Sequence, residues 1–234
     1  MPAKAFLPRL PITCWVLGFA FFITSWVAAE PPESSDPENL LASSELDQWE
    51  FRIGQETKSI GDSWKIRDNV LHGTGRPRGY LVTKNDYENF ELTLEWRWPD
   101  KTPGTANSGV LIQAKPSEPG FRTKPLSIEI QLAAGKAGDL YLIGNGIGYL
   151  GEGPFLKARG VPLVRINRTQ DPQEKPLGEW NQMTIRSVDR TLEIRVNGVV
   201  VNRGEKVRPT RGHIALQAEG APIAFRNVEV RPVP

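Results

Sequence analysis

From Phe90 to Trp98 the sequence reads Phe-Glu-Leu-Thr-Leu-Glu-Trp-Arg-Trp, alternating apolar and polar without a break. A period of two puts Phe90, Leu92, Leu94, Trp96 and Trp98 on one face of a strand. Glu91, Thr93, Glu95 and Arg97 then share the other. That apolar face needs a second layer over it, and no long amphipathic helix elsewhere in the chain offers one. Shorter runs of the same kind occur at Val110–Gln113, Ser127–Leu132, Gln182–Ser187 and Thr191–Val196. Val199–Asn202 continues the last two into a meander across Asn197-Gly198, whose residues both tolerate the positive φ of a tight hairpin turn. His213–Ala218 and Ile223–Val230 supply two closing strands. Ten or more short strands in about 190 residues, without helical crossovers, predict an all-β antiparallel sandwich or barrel in a single domain over 46–233. The Gly- and Pro-rich stretch from Lys136 to Leu177 is weakly patterned. A loop that long is expected to cover or border whatever the sheet binds.

The N-terminus has a different character. Lys4 and Arg9 precede an uncharged run from Ile12 to Ala29 that ends in Val27-Ala28-Ala29. A basic start, an apolar core and small residues at the end describe a signal peptide over 1–29, followed by a polar, flexible leader over 30–45. The alternative is an uncleaved membrane anchor, the single route to a membrane in this chain. Either way the remainder is expected to be extracytoplasmic, periplasmic or secreted. Without Lys4 and Arg9 the 29 basic residues fall to 27 against 27 acidic ones. A neutral domain has no field to attract nucleic acid. The one cysteine, Cys14, lies in the same segment, which removes disulfides, cysteine nucleophiles and Cys-ligated metals from the mature chain. With His72 and His213 the only histidines, a histidine-rich metal site is excluded as well.

In a sandwich one face of each sheet builds the core, so polar residues on the outward faces are the candidates for binding. Ser127-Ile128-Glu129-Ile130-Gln131-Leu132 alternates, which sets Glu129 and Gln131 on one face. Glu95 and Arg97 do the same on an earlier strand. If those strands are neighbours, the four converge on one groove, with Asn107-Ser108-Gly109 entering beside them. Gln217 and Glu219 bracket Ala218 and share a face. Amide, carboxylate and guanidinium groups suit a polyhydroxylated ligand. The same pattern also describes a solvated face with cross-strand ion pairs, and Trp49, Trp64, Trp96, Trp98 and Trp180 read as core rather than as sugar platforms. No Gly-rich phosphate loop, Ser–His–Asp arrangement or metal-ligand spacing occurs.

The order of short motifs resembles a known family. Trp64-Lys65-Ile66-Arg67-Asp68-Asn69-Val70-Leu71-His72-Gly73 opens the series, followed by Tyr87-Glu88-Asn89-Phe90-Glu91-Leu92 and Asn107-Ser108-Gly109-Val110. Glu129-Ile130-Gln131, Gly178-Glu179-Trp180-Asn181, Asn197-Gly198, Gly212-His213-Ile214-Ala215-Leu216-Gln217 and Phe225-Arg226-Asn227-Val228 complete it. In this order they are similar to the 3-keto-disaccharide hydrolase family. The resemblance implies a concanavalin A/laminin G-like jelly-roll sandwich acting on 3-keto-glycosides as a lyase, hydratase or net hydrolase. A ketone at C3 acidifies the C2–H, so a base there starts an elimination that expels the C1 oxygen. On that reading Glu129 is the base and Arg97 stabilises the enediolate. Gln131, Asn107, Ser108 and Gln217 position hydroxyls, and Glu95 or His213 supplies the proton. No cofactor is required. A divalent ion held by Glu95 and Glu129 is the alternative to Arg97 as electrophile. The chain departs from the family at Ala134, where an aspartate commonly stands; Asp139 is the substitute within reach. A non-catalytic carbohydrate-binding module is the second reading, and a structural or protein-interaction domain the third.

Overall fold

The computed structural model describes residues 36–61, 63–102, 106–119, 124–144, 148–151, 155–157 and 163–234. The expected signal peptide lies outside them. In chain order the strands are β1 (Glu38–Asn39), β2 (Trp49–Ile53), β3 (Glu56–Lys58), β4 (Trp64–Arg67), β5 (Val70–Gly73) and β6 (Gly79–Tyr87). Then come β7 (Phe90–Arg97), β8 (Gly109–Pro119), β9 (Pro125–Gln131), β10 (Leu140–Ile143), β11 (Gly148–Gly151) and β12 (Phe155–Lys157). The series ends with β13 (Leu163–Ile166), β14 (Asn181–Val188), β15 (Thr191–Val196), β16 (Val199–Arg208), β17 (Gly212–Ala218) and β18 (Ile223–Pro232).

Two nine-stranded antiparallel sheets form the sandwich. The first runs β11-β16-β15-β14-β7-β18-β5-β4, with β1 also on β18; the second runs β12-β13-β10-β9-β8-β17-β6-β2-β3. Strand β7 keeps its alternation, with Phe90, Leu92, Leu94 and Trp96 all buried. Val110, Ile112, Ile128, Ile130, Ile214 and Leu216 face it from the second sheet within one continuous core. Trp49, Trp64, Trp96 and Trp98 are core residues as expected.

The middle of the second sheet is buried on both faces. Tyr80, Val82, Leu111, Ala114 and Ala215 form a separate apolar cluster. They alternate with core residues along β6, β8 and β17, so this cluster lies on the sheet's outward face. A bulge in β8 places Gln113 at a positive φ of 50° and sends its Nε2 2.9 Å to the Ser187 hydroxyl of the other sheet.

Two boundaries differ from the sequence-based expectation. The leader proposed over 30–45 is structured from residue 36: β1 pairs with β18, Leu40 and Leu41 are buried, and the Trp49 indole donates to the Leu40 carbonyl at 2.7 Å. The polar composition there conceals two core leucines. Within the 136–177 stretch, β10 and β13 extend the second sheet, so part of the expected loop is strand.

Candidate functional site

Every residue of β9 is buried. Ile128 and Ile130 point into the core, which turns Ser127, Glu129 and Gln131 to the outward face beside the second apolar cluster. Cross-strand register places Arg165, Tyr141, Glu129, Leu111, Ala215 and Val82 in one row across β13, β10, β9, β8, β17 and β6. In the next row, Gln131 faces Gly109 and Gln217 faces Tyr80.

Glu129 is the centre of this surface. A Cβ added at Gly109 would lie 2.9 Å from both Cγ and Oε1 of Glu129, so the carboxylate rests in the space the glycine leaves open. The Glu129 side chain is 1% exposed. Lys124 Nζ reaches its two oxygens at 3.1 and 2.9 Å and Glu219 Oε2 at 3.1 Å. One ammonium thus serves two carboxylates. Burial pushes the Glu129 pKa above the usual carboxylate range and Glu219 adds to the rise, while Lys124 opposes both. Burial would pull the Lys124 pKa down, but the two carboxylates more than reverse it, so it stays ammonium.

Tyr141 completes the group. It lies directly across from Glu129 and faces the Gln131 amide, with the Arg165 guanidinium 5.8 Å from its ring centre. Burial raises its pKa despite Arg165. Arg165 is itself held by Asp139, whose buried carboxylate accepts from Arg165 at 2.6 Å and from the Arg168 backbone and side chain at 3.0 and 3.3 Å. The Gln217 amide is buried beside Glu129, where its hydrogen bonding to the carboxylate joins Lys124 in lowering the Glu129 pKa.

The remaining sequence-derived candidates divide. Gln131 accepts from the Leu132 and Ala133 amides at 2.9 and 2.8 Å, which fixes the turn after β9. Ser108 donates to the Gln217 carbonyl at 2.7 Å, tying β8 to β17. Asn107 keeps a buried Oδ1 without a partner among the described residues. His213 sits across the β17 bulge, near the strand end away from Gln217, with Nδ1 at 2.8 and 3.1 Å from the Thr83 and Asn85 carbonyls. Ala134 is exposed, and its amide donates to the Ala106 carbonyl at 3.1 Å. Asp139 is engaged by two arginines, Arg165 and Arg168.

Glu95 and Arg97 do not join this group. They lie on β7 in the first sheet, facing outward on the opposite side of the sandwich. Glu95 is ion-paired with Arg226 at 2.6 Å, and Arg97 stacks on Trp180 at 4.7 Å. The pattern told which side chains of each strand turn away from the core, but not which sheet holds the strand. For the same reason Glu95 and Glu129 cannot share a divalent ion; between Glu129 and Glu219 the cation is Lys124. Sequence reasoning missed Lys124, Gly109 and Tyr141. Leu140-Tyr141-Leu142 carries a short alternation that flags the tyrosine, whereas Lys124 stands in a loop with no pattern.

Residues 36–231 match the model of the 3-keto-alpha-glucoside-1,2-lyase-like domain. The chain belongs to that family. No curated protein sequence matches it. Among solved structures, this lyase-like domain is similar to a candidate glycosyl hydrolase from Parabacteroides distasonis, with 25% identity and a TM-score of 0.59 over 85% of this chain and 100% of that one. Carbohydrate-binding module CBM66 of Bacillus subtilis (10% identity, TM-score 0.56, 79% and 95% covered) and a Bacillus licheniformis β-glucanase (9%, 0.52, 86% and 100%) share the jelly-roll fold. The 3-keto-alpha-glucoside-1,2-lyase-like family is a carbohydrate-acting one, and the fold it takes here is the one the resemblance implied.

Proposed function

We propose that the chain is an exported enzyme that cleaves 3-keto-glycosides by elimination and hydration, with Glu129 as the general base. The observation that carries this reading is the buried Glu129 carboxylate, seated over Gly109 and facing one ammonium. Burial makes it a stronger base than a solvated glutamate. Lys124, near both Glu129 and Glu219, is a fixed positive charge for the oxyanion that develops at C3. Tyr141, across from Glu129, is the proton donor.

The sequence of bonds follows. Glu129 takes the C2 proton, and the C2–H electrons move toward C3 to give an enediolate beside Lys124. Its collapse forms the C1=C2 bond and breaks the C1–O bond, with the departing oxygen protonated by Tyr141. Water added across the double bond gives the free 3-keto sugar. Export rests on the basic, apolar and small-residue pattern of residues 1–29.

The test incubates the protein with a 3-keto-β-glucoside in D2O and follows the sugar by NMR. Deuterium entering at C2, together with release of a 2-hydroxy-glucal or free sugar, is expected. Glu129→Gln should lower both rates by about 10²–10⁴-fold. Wild-type turnover in that variant overturns the assignment. A carbohydrate-binding module of the same fold is the second reading, favoured by Lys124 already pairing with Glu129. It predicts sugar binding without C2 exchange.

A further inference from the structure

The first sheet carries a second, unrelated cleft on its own outward face. Register places Arg97, Ala224, His72 and Lys65 in one row across β7, β18, β5 and β4. Ala224 is the small residue between Arg97 and His72. The two flanking strands are about 9.5 Å apart, twice the strand spacing, and a methyl group is all that fills the floor. The resulting cleft of about 540 Å³ is bounded by His72, Thr74, Arg97, Asp100, Gly178 and Pro222. That size fits a single sugar residue.

Its polar groups are set in place from behind. Trp180 holds the Arg97 guanidinium at 4.7 Å on its ring and Arg226 at 4.2 Å. Arg226 is in turn fixed by Glu95 through bonds of 2.8 and 2.6 Å, and Asn227 donates to the other Glu95 oxygen at 2.8 Å. Glu95 is therefore committed. Among the described residues Arg97 has no carboxylate partner, whereas Arg195, Arg203, Arg226 and Arg231 on the same sheet face all do. Across the cleft, Asp100 lies so close over Gly178 that any Cβ there would collide with its Oδ1. His72 stands exposed at the rim, where partial desolvation and then Arg67 and Arg97 lower its pKa, and its imidazole is placed to bond a hydroxyl.

We infer that this cleft is a second carbohydrate subsite, selective for a sugar that bears a carboxylate. The planar Arg97 fork, pre-oriented on Trp180, matches a carboxylate in a bidentate way that a neutral hydroxyl cannot reproduce. Asp100, an acceptor of hydroxyl protons, opposes it and makes the cleft a poor site for a bare multivalent anion. The subsite lies on the sheet opposite Glu129, so it works whether or not Glu129 is a base.

Isothermal titration of the full chain with methyl β-glucuronoside, methyl β-glucoside and inorganic phosphate tests this. The glucuronoside is expected to bind at millimolar concentration, and at least about tenfold more tightly than either control. Arg97→Gln should weaken glucuronoside binding by at least about tenfold. Ala224→Leu, which fills the floor, should abolish it while leaving C2 exchange on a 3-keto-β-glucoside intact. Glu129→Gln should leave glucuronoside binding unchanged, which separates this subsite from the reaction site. Thermal melting checks that each variant is folded. Absence of glucuronoside binding, equal affinity for glucoside or phosphate, or full binding by folded Arg97→Gln overturns the inference.

Discussion

A carboxylate in the position of Glu129 is pulled two ways. Burial and Glu219 raise its pKa, and Lys124 lowers it. A base acts only when deprotonated, so a raised pKa moves the acidic limb of kcat/KM upward. That limb should lie above the ~4.3 of an unperturbed glutamate. Lys124→Met removes the opposing charge, so the limb should move to still higher pH as overall activity falls. A pH–rate profile of both proteins reads the shift, and a limb that stays put in Lys124→Met would dissociate the lysine from the base. Gly109 supplies a separate check, because it acts through space alone. In Gly109→Ala the new methyl would stand 2.9 Å from Glu129 Cγ. Since the carboxylate must move, turnover should drop by about 10²-fold, the usual consequence of a misplacement near 1 Å. Circular dichroism should show the sheet content retained.

Strands were legible wherever one of their faces is wet and the other dry. Strand β15 has the bounds the alternation gave, and β7 falls short of them only at Trp98, because each wet side chain marks its dry neighbour. Strand β9 is buried throughout, and its alternating Glu129 and Gln131 were readable only because they are polar residues in a buried row. Pairing was not legible. Whether β7 neighbours β9 depends on long-range topology, and the sequence reading that joined Arg97 to Glu129 failed on that point. The missed Lys124 illustrates the same limit, since a loop residue gains meaning only from the sheet it lies against. Turn chemistry was the most readable local signal. Asn197, at a positive φ of 47°, accepts the Gln182 amide at 2.9 Å through Oδ1 and donates to Gln173 O and Asn181 Oδ1 at 2.7 and 2.9 Å through Nδ2. Asn197→Ala loses all three bonds and retains the positive φ. It should destabilise the domain by about 1–3 kcal/mol, measured by urea unfolding, with little change in the activity of the folded protein.

The extent of the domain is a property of the whole sandwich rather than of any one strand. The described residues form a single compact unit, and the family match begins at 36, ten residues before the alternating strands become visible in the sequence. Those ten residues are polar in composition, yet Leu40 and Leu41 are 2% and 6% exposed, and β1 adds a pair to β18. The Leu40 carbonyl also receives the only hydrogen bond that the Trp49 indole makes among the described residues. Two chains, 36–234 and 46–234, therefore make different predictions. The longer one should unfold cooperatively in a single thermal transition. The shorter one loses two buried leucines at about 2–5 kcal/mol each and leaves a buried indole N–H unpaired. In a domain of this size about 1 kcal/mol moves Tm by 2–4 °C, so the shorter chain should melt at least about 10 °C lower or fail to fold. Equal melting temperatures would mean that β1 and its two leucines only cover the sandwich. A large drop would mean that they close its core beneath β18, the strand that also borders the Arg97 cleft.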